Sequence, residues 1–541
     1  MIKIIVQIKV FVSVLVVVLA VTVFANSATA KEQRQPNILF CISDDQSYAH
    51  TGFAGCQFVK TPAFDKLAAG GVYFTHCYAG SPGCAPSRSS LVTGRYHWQN
   101  EQSGQHSSGW LKKYVPFIDL LDNNGYFTGC TGKGVGPFEY AEKGDADSLF
   151  RIEDAGGVMH SDINYSKNGE SDQYGDGIKS YNYFENFKFF MNKKEADKPF
   201  FFWYGCKEPH RSYEKDSWVR HGKKLSDVTV PAFLPDNETV RGDLLDYAVE
   251  IDWFDLHLSR MVAYLEEIGE LDNTIIIVTA DNGMPFPRAK ANAYEYGVHV
   301  PLVVYYPKAF PGKRVVDDMV SFVDMAPTVL ELTGTSNDGM LPMAGKSITK
   351  ILTSNKQGIV NKDKAYVYAG RERHSSSRYE NWGYPQRVIH SQDHLLIWNA
   401  KYDRWPAGAP QSLKEEGSSV LRPMYGIDEA GVHHKDWAFT DVDGSPTKSI
   451  IIERHGQSEM KPFFELSFGK RPEYELFDLN KDPYCVNNIA SDQSYDKTFK
   501  TLKRALRAEL TASKDPRVTG PDKEVFDSYK RYSSMRYFPK P

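Results

Sequence analysis

The sequence has no Cys-x-x-Cys pair and little cysteine overall. Its seven cysteines lie at positions 41, 56, 77, 84, 130, 206 and 485. Zinc sites are typically built from closely spaced cysteine and histidine pairs, so this spacing argues against a zinc site. Seven is an odd number, and at least one thiol must therefore stay unpaired even in an oxidising compartment.

The sequence also lacks a surplus of positive charge, internal repeats and low-complexity tracts. Lys and Arg number 64 against 68 Asp and Glu, which gives a formal net charge of −4. A mildly acidic chain has no general attraction for polyanions, so nucleic acid is not an expected partner and binding of a sulfated glycan must depend on local basic clusters. Aromatic residues are abundant at 13%, as in many carbohydrate-active proteins, although most aromatic side chains serve the core.

Residues 1–30 have the layout of a secretory signal. Lys3 and Lys9 precede an apolar run from Val10 to Phe24, and Ala28-Thr29-Ala30 resembles a cleavage site. The run of 15 residues is short for a membrane span, so cleavage is favoured over an uncleaved anchor. Cleavage would change the formal charge from −4 to −6 by removing two lysines. We expect a periplasmic or secreted protein with no stable membrane anchor.

Two continuous apolar runs, residues 36–43 and 273–279, predict parallel strands buried on both faces. Polar oxygen ligands follow each run: Asp44 and Asp45 after the first, Asp281 and Asn282 after the second. Ligands gather at the carboxyl ends of parallel strands, so these four side chains can converge on one ion. Carboxylate and amide oxygens suit Ca²⁺ or Mg²⁺ better than zinc. An exposed Asp-rich turn is the alternative for the first pair.

Strand, loop and helix patterns alternate along the first two thirds of the chain. Helices are predicted over residues 61–71, with Thr61 as the cap, and over 115–123 and 244–268. This alternation predicts an α/β fold with a large mixed, mostly parallel sheet sandwiched by helices.

The segment Gly83–Gly94, GCAPSRSSLVTG, places Cys84 where a loop enters a helix. Pro86 suits a first helical turn and Gly94 suits a helix end. A helix start has unpaired N–H groups and partial positive charge, which suits chemistry on an anion at residue 84. A buried structural cysteine is the alternative.

The pattern Cys84-x-Pro-Ser-Arg88, followed by Thr-Gly94, resembles the signature of type I sulfatases of the alkaline phosphatase superfamily. The resemblance implies that a formylglycine-generating enzyme oxidises Cys84 to an aldehyde, which is used as its hydrate. One hydroxyl of the hydrate would attack sulfur and release the alcohol or amine, and the other would then lose its proton and expel sulfate, which restores the aldehyde. Cys84 is also the natural candidate for the unpaired thiol.

Three further segments carry the resemblance. Lys133, in the run GKGVGP, matches the lysine that contacts formylglycine and sulfate, but Val135 stands where the family usually has His. His210 follows Pro209 after a predicted strand and matches a histidine at the sulfate or leaving group; we expect it to be the acid. Lys290 opens KANAYEYGVHVPL, which resembles the second sulfatase signature, with His299 where Arg is common.

The resemblance implies two sets of residues. The catalytic set is Cys84, Arg88, Lys133, His210 and Lys290. The ligands of one Ca²⁺ are Asp44, Asp45, Cys84 in its modified form, Asp281 and Asn282.

The character of the sequence changes near residue 365. A strand is predicted over residues 366–370, followed by the polar run Arg371, Glu372, Arg373 and His374. Arg371, Arg373, His374 and His299 are predicted to recognise a charged sugar; a solvated loop with internal ion pairs is the alternative. Segments 383–408 and 473–483 resemble the smaller α+β domain of polysaccharide sulfatases, including heparan N-sulfatase-like ones. The predicted domains are therefore 31–375, catalytic, and 376–541, smaller and C-terminal.

The predicted function is hydrolysis of sulfate esters on oligosaccharides from a sulfated polysaccharide, for example algal ulvan. An N-sulfoglucosamine sulfohydrolase of the heparan type is one alternative, and a phosphoester or phosphonate hydrolase of the same superfamily is another. A third is an inactive glycan-binding protein in which Cys84 is never oxidised. The full set of acids and lysines argues against the third, since a pure binder has no need of metal ligands.

Overall fold

The two apolar runs form neighbouring central strands of a seven-stranded sheet in the computed structural model, which describes residues 34–145 and 147–541. The predicted signal segment lies outside the described residues. Strand β1 (Asn37–Ser43) and strand β8 (Thr274–Ala280) pair in parallel with Ser43 opposite Ala280. Every residue of both strands is buried, as expected for strands covered on two faces.

The other strands of the described chain are short. They are β2 (Val72–Phe74), β3 (Cys77–Tyr78), β4 (Ser108–Gly109), β5 (Phe127–Gly132), β6 (Phe138–Glu139), β7 (Phe200–Gly205), β9 (Leu302–Tyr305), β10 (Arg314–Val316), β11 (Val320–Ser321), β12 (Val367–Arg371), β13 (Gln386–His390), β14 (His394–Asn399) and β15 (Tyr474–Asp478). The large sheet has the order β10-β2-β9-β8-β1-β7-β5. Only β9 runs antiparallel to its neighbours in this sheet, so the predicted mixed, mostly parallel arrangement is confirmed.

Helices connect the strands of the large sheet, and others lie between the last two strands of the small sheet or follow it. They are α1 (Pro62–Gly70), α2 (Cys84–Thr93), α3 (Phe117–Asn123), α4 (Glu170–Tyr174), α5 (Tyr183–Lys193), α6 (Ser217–Arg220), α7 (Glu238–Glu267), α8 (Glu295–Val298), α9 (Met325–Thr333), α10 (Thr349–Leu352), α11 (Pro446–Glu453), α12 (Lys461–Phe468), α13 (Asp496–Ala512), α14 (Pro516–Thr519) and α15 (Val525–Ser528).

Helices cover both faces of the large sheet. Alternate residues of β1 point to opposite faces, so Ile38 and Phe40 join one core cluster and Leu39 joins the other. Helices α2, α3 and α9 pack in the first cluster, and α1, α5 and α7 pack in the second. The sandwich fixes the carboxyl ends of β1 and β8 beside the start of α2.

The predicted helices are present, but α3 starts at Phe117 rather than at residue 115, and the start of α7 and the role of Thr61 also differ from the prediction. Helix α7 begins at Glu238, six residues before the predicted start. Its first turns are polar, so the apolar spacing does not reveal them. Asn237 caps the helix, since its side chain accepts a hydrogen bond from the Val240 N–H at 3.1 Å. Thr61 precedes α1 as predicted, but its hydroxyl donates to the Asp65 carboxylate at 3.0 Å and does not cap the helix.

A second, four-stranded antiparallel sheet, β12-β13-β14-β15, forms the smaller α+β part of the chain. Helix α13 lies against it, with Leu502, Leu506 and Leu510 buried in the same cluster as Leu396 and Leu476. Residues 37–541 form one compact unit, so the predicted boundary at residue 376 stays a prediction. Within the described chain, no helix has the length and apolar character needed to span a bilayer.

Candidate active site

The ends of β1 and β8 bring four polar side chains into one buried cluster. Because these strands are parallel neighbours, Asp44 and Asp45 come out beside Asp281 and Asn282. The Asp45 N–H donates to Asp281 Oδ1 at 3.0 Å, and Asn282 Nδ2 donates to Asp45 Oδ1 at 2.7 Å. Asp45 has a φ of 78°, in the left-handed region. None of the four is more than 2% exposed, so their charges must be balanced within the site.

Cys84 is the first residue of α2 and lies against this cluster. Its Sγ and carboxylate oxygens of Asp44 and Asp281 lie within 4.8 Å of one another. The helix start is fixed to β8 by Ser87, whose hydroxyl donates to the Asp281 carbonyl at 2.5 Å. Burial raises the pKa of the Cys84 thiol, and the protonated thiol is a weak nucleophile. An unmodified Cys84 is therefore poorly suited to attack an ester.

Three cations balance the carboxylates. Arg88 Nε donates to Asp281 Oδ2 at 2.8 Å, and its Nη1 donates to the carbonyls of Lys133 and Gly134. Lys133 Nζ lies 2.5 Å from Asp44 Oδ2. Lys290 Nζ lies 2.6 Å from Asp45 Oδ2. All three predicted cationic residues are thus brought to the cluster, each beside a different aspartate.

The three carboxylates do not share the same electrostatic environment. Burial opposes ionisation of Asp44, but Lys133, with weaker help from other cations, places its pKa well below the usual range. Burial, reinforced by the charge of Asp44, raises the pKa of Asp281, although Arg88 and Lys133 act in the opposite direction. The Asp44 carboxylate is therefore strongly favoured as the anion, whereas Asp281 beside it needs further positive charge to stay ionised.

The donor atoms of the cluster fit a hard divalent cation. Asp44 Oδ1 and Asn282 Oδ1 are buried and accept no hydrogen bond from any described residue. An unsatisfied buried oxygen is costly, and a cation bound by both oxygens would remove that cost. The neighbouring donors are carboxylate oxygens, the preference of Ca²⁺ or Mg²⁺. An added positive charge would also favour ionised Asp281.

His210 lies at the open side of the cluster, with its side chain 38% exposed. Its Nδ1 is 2.7 Å from the Arg211 carbonyl, so that nitrogen carries a proton. Its Nε2 lies 3.9 Å from Asp45 Oδ2. The Nε2 atom can therefore accept a proton from, or in the imidazolium form give one to, a group bound in the cleft.

Asp443 is a site residue that the sequence analysis missed. Its carboxylate lies 3.1 Å from Lys290 Nζ and belongs to a second close group with Asp45 and His210. The Asp443 side chain is 27% exposed, so it can reach a bound molecule. It comes from the loop before α11, and its only sequence signal is the short acidic run Asp441-Val-Asp443-Gly, which also suits a surface turn.

His374 lies next to Gly83, the residue before Cys84, and its predicted contact with a sugar stays a prediction. A Cβ built on Gly83 would be 3.0 Å from His374 Nδ1, so the ring packs against the residue before Cys84. Burial lowers the pKa of His374 to about 3. The ring of His106, also missed in the sequence, lies 5.2 Å from that of His374. Burial places the pKa of His106 well below its usual value, so two neutral imidazoles stand beside the helix start.

The two predicted arginines of the same segment are buried and bind main chain. Arg371 donates to the carbonyls of Ala291 and Pro406 and to the Asp441 carboxylate. Arg373 Nη1 donates to the Tyr529 carbonyl at 2.6 Å. These contacts tie the C-terminal region to the site. The predicted contact of Arg371 and Arg373 with substrate stays a prediction.

His299 is not brought into the Cys84 cluster. Its ring stacks on Tyr48 at 4.1 Å and on Tyr78 at 4.9 Å. Its Nδ1 lies 3.0 Å from a Glu295 carboxylate oxygen, and its Nε2 lies 2.9 Å from the Thr75 carbonyl. Both ring nitrogens thus have partners within the fold, and its role in sugar binding stays a prediction.

The fold and the site define an α/β protein with acids at the ends of central parallel strands and a cysteine at a helix start. The model of the sulfatase family matches residues 36–335, and the chain belongs to that family. It is accordingly an enzyme that hydrolyses sulfate esters. A second model, the C-terminal region of N-sulphoglucosamine sulphohydrolase, matches residues 289–399.

Two curated relatives span most of the chain. The human N-sulphoglucosamine sulphohydrolase is 24% identical over 532 residues, covering 90% of this chain and 92% of that protein. An ulvan-active sulfatase of Formosa agariphila is 25% identical over 484 residues, covering 88% and 79%. Among solved structures, one in complex with its substrate D-glucosamine-2-N,6-O-disulfate has a TM-score of 0.60 at 19% identity and covers 91% of this chain and 100% of that one. The phosphonate monoester hydrolase of Agrobacterium radiobacter has a TM-score of 0.61 at 15% identity, with 88% and 96% covered.

Proposed function

We propose that this sulfatase removes sulfate from oligosaccharides of a sulfated polysaccharide such as ulvan, with a formylglycine made from Cys84 and one bound Ca²⁺. The observation that carries the proposal is the placement of Cys84 beside Asp44 and Asp281, at the start of a helix and within a ring of cations. A maturation enzyme would be needed as a partner, and the signal segment supports a periplasmic or secreted location.

The charges of the site suit an anionic sulfuryl group. With Asp443 included, four carboxylates face three fixed cations, so the cluster is slightly negative by itself. Bound Ca²⁺ would supply a Lewis acid at the sulfuryl oxygens and leave the cleft positive. Asp44, Asp45, Asp281, Asn282 and residue 84 would be its ligands. Lys133 and Lys290 would then face the bound sulfate, where charge spreads onto oxygen as the sulfur–oxygen bond breaks.

Arg88 acts through its partners in this proposal. It holds Asp281 and the loop at Lys133 in fixed positions, which keeps both beside residue 84. His210 is the proposed acid for the leaving oxygen, because its Nδ1–H is held by a carbonyl and its Nε2 faces the cleft. With Val135 in place of the usual histidine, His210 has no second imidazole from the Lys133 loop to assist it.

An N-sulfoglucosamine sulfohydrolase is the second candidate. The match of residues 289–399 to the C-terminal model of that enzyme favours it, as does the human relative's coverage of both chains. The same nucleophile and cations would serve either substrate, because both reactions displace a leaving group from sulfur. Only the leaving atom differs, an alcohol oxygen in one case and an amine nitrogen in the other.

The first experiment measures the mass of the Cys84 peptide from protein exported by its own host. Conversion of the thiol to the aldehyde lowers the mass by about 18 Da. Release of inorganic sulfate is then measured on ulvan oligosaccharides and on N-sulfoglucosamine, with Cys84→Ala as the inactive control. Faster release from N-sulfoglucosamine would select the second candidate. An unmodified thiol in active protein would contradict the nucleophile, and a higher rate on phosphate monoesters than on either sulfate would contradict both candidates.

A further inference from the structure

A basic groove lies beside helix α13, on the small sheet. Leu502, Leu506 and Leu510 bury one stripe of the helix against the sheet. Beside this stripe the structure has a cavity of about 930 Å³ between the helix and the sheet. Its volume lies in the range of ordinary ligand pockets and can take a short run of sugar rings.

Four cations line this groove at helical spacing. Lys500, Lys503, Arg504 and Arg507 follow one another at intervals of three, one and three residues, so they share one side of α13. All four are exposed. Lys500 has an ion-pair partner in Asp496 at 2.9 Å, whereas within the described chain no carboxylate pairs with the other three. Their charge is therefore available to a ligand.

Aromatic rings form the floor of the groove. Trp398 and Tyr474 are paired across β14 and β15 and both line the cavity. Lys503 Nζ lies 4.1 Å from the centre of the Tyr474 ring, which holds the ammonium group over the floor. Flat aromatic faces with adjacent cations suit a ring-shaped ligand that carries anionic groups at its edge.

The groove is positively charged, whereas the protein as a whole is mildly acidic. Helix α13 has five basic and two acidic residues, whereas the whole chain has a formal charge of −4. Glu473, beside Tyr474, reduces the local charge but leaves it positive. Repulsion from the rest of the surface would oppose a polyanion, so a local cluster of this kind is what such a ligand requires.

We propose that this groove binds a sulfated polysaccharide chain outside the catalytic cleft and keeps the enzyme on its polymer. This inference rests on the proposed function, since it takes the same class of polymer as ligand. In the described structure no hydrogen bond or ion pair joins the groove residues to the Cys84 cluster. The groove therefore adds affinity for long chains without altering the chemical step.

The test measures binding of the full-length Cys84→Ala protein to heparin and to ulvan, with neutral dextran as the blank. The groove variant carries Lys503→Gln, Arg504→Gln and Arg507→Gln. A charge-matched control carries Lys66→Gln, Lys167→Gln and Lys362→Gln, which are exposed lysines elsewhere. We expect about tenfold weaker binding by the groove variant and little change in the control, since three charge-assisted contacts are lost in one place only.

A conservative variant separates charge from folding. Lys503→Arg, Arg504→Lys and Arg507→Lys together keep the charge and should keep most of the binding, and unfolding temperatures check that every variant is folded. In the active enzyme, the groove variant should raise KM on polymer and leave kcat/KM on a short substrate unchanged.

Three results would overturn the inference. The groove variant could bind the polymers as tightly as its parent protein, or the charge-matched control could lose as much binding as the groove variant. The parent protein could also bind single-stranded DNA as tightly as it binds the sulfated polymers. Failure of the proposed function has a different signature. In that case the protein binds polymer through the groove but releases sulfate from neither polymer nor short substrates.

Discussion

Two buried carboxylates show how differently the Cys84 cluster and the C-terminal segments use charge. Asp441 has both oxygens occupied: one accepts from Ser375 and Ser377, and the other from Arg371 and Arg378. Asp44 has one oxygen beside Lys133 and one without a partner. A buried carboxylate whose two oxygens both accept hydrogen bonds stabilises the fold, whereas one with an unpaired oxygen can still bind a ligand.

The first prediction tests this contrast at Asp44, which has an unpaired oxygen. Asp44→Asn should lower kcat by about 10²–10³-fold, because the amide removes a charged ligand oxygen from the proposed Ca²⁺ site. It should also abolish the rise in unfolding temperature that Ca²⁺ gives the wild type. Steady-state sulfate release and thermal unfolding with and without Ca²⁺ are the measurements. A variant that keeps both activity and the Ca²⁺ shift would remove Asp44 from the site.

The matched substitution at Asp441 should act on stability. Asp441→Asn leaves Arg371 and Arg378 buried with no carboxylate, and breaking such a buried pair costs about 3–5 kcal/mol. We expect a lower midpoint in urea unfolding and, for the molecules that remain folded at low temperature, kcat within a few-fold of the wild type. A normal midpoint with a large loss of kcat would place Asp441 in the reaction and undo the contrast.

The same contrast explains which parts of the site could be predicted. Asp44, Asp45, Asp281 and Asn282 follow continuous apolar runs, and parallel strands with adjacent ends must bring such residues together. Cys84 is identified by a local pattern at a helix start. His106 and Asp443 have no such signal, because each comes from a loop whose position depends on packing far along the chain. Arg371 shows the opposite limit, since a polar run does not reveal that its guanidinium donates to distant carbonyls and to Asp441, and its contact with substrate stays a prediction.

Asp443 is intermediate between Asp44 and Asp441, because it pairs with a lysine and is partly exposed, so its substitution should have an intermediate effect. Its carboxylate is one of two that hold the Lys290 ammonium group, and it stays partly exposed to the cleft. Asp443→Asn should lower kcat/KM by about 10- to 100-fold, because Lys290 loses one charged partner and its position next to sulfate is less restricted. Asp428→Asn, at a partly exposed carboxylate 2.8 Å from His434, is the matched control and should leave kcat/KM unchanged. Equal effects of the two substitutions would contradict a site role for Asp443.

The smallest effect concerns His374, which joins the C-terminal region to the start of α2. Burial lowers its folded pKa from about 6.5 to about 3, so below pH 6.5 the unfolded chain binds a proton that the folded chain does not. The stability that neutral His374 contributes is complete above pH 6.5 and is lost as the pH falls from there towards 3. The loss approaches about 1.4 kcal/mol per pH unit for one proton.

His374→Asn removes this titration. Between pH 7 and pH 5, the free energy of unfolding should therefore fall less steeply in the variant than in the wild type, measured by urea unfolding at fixed, saturating Ca²⁺. The difference in slope isolates His374, because the other titrating groups are common to both proteins. Parallel slopes would mean that the ring can take up a proton in the folded state, and that the wall beside Cys84 is open to water and to a charged sugar. In that case the wall formed by His374, and not only the Cys84 cluster, could bind a ligand.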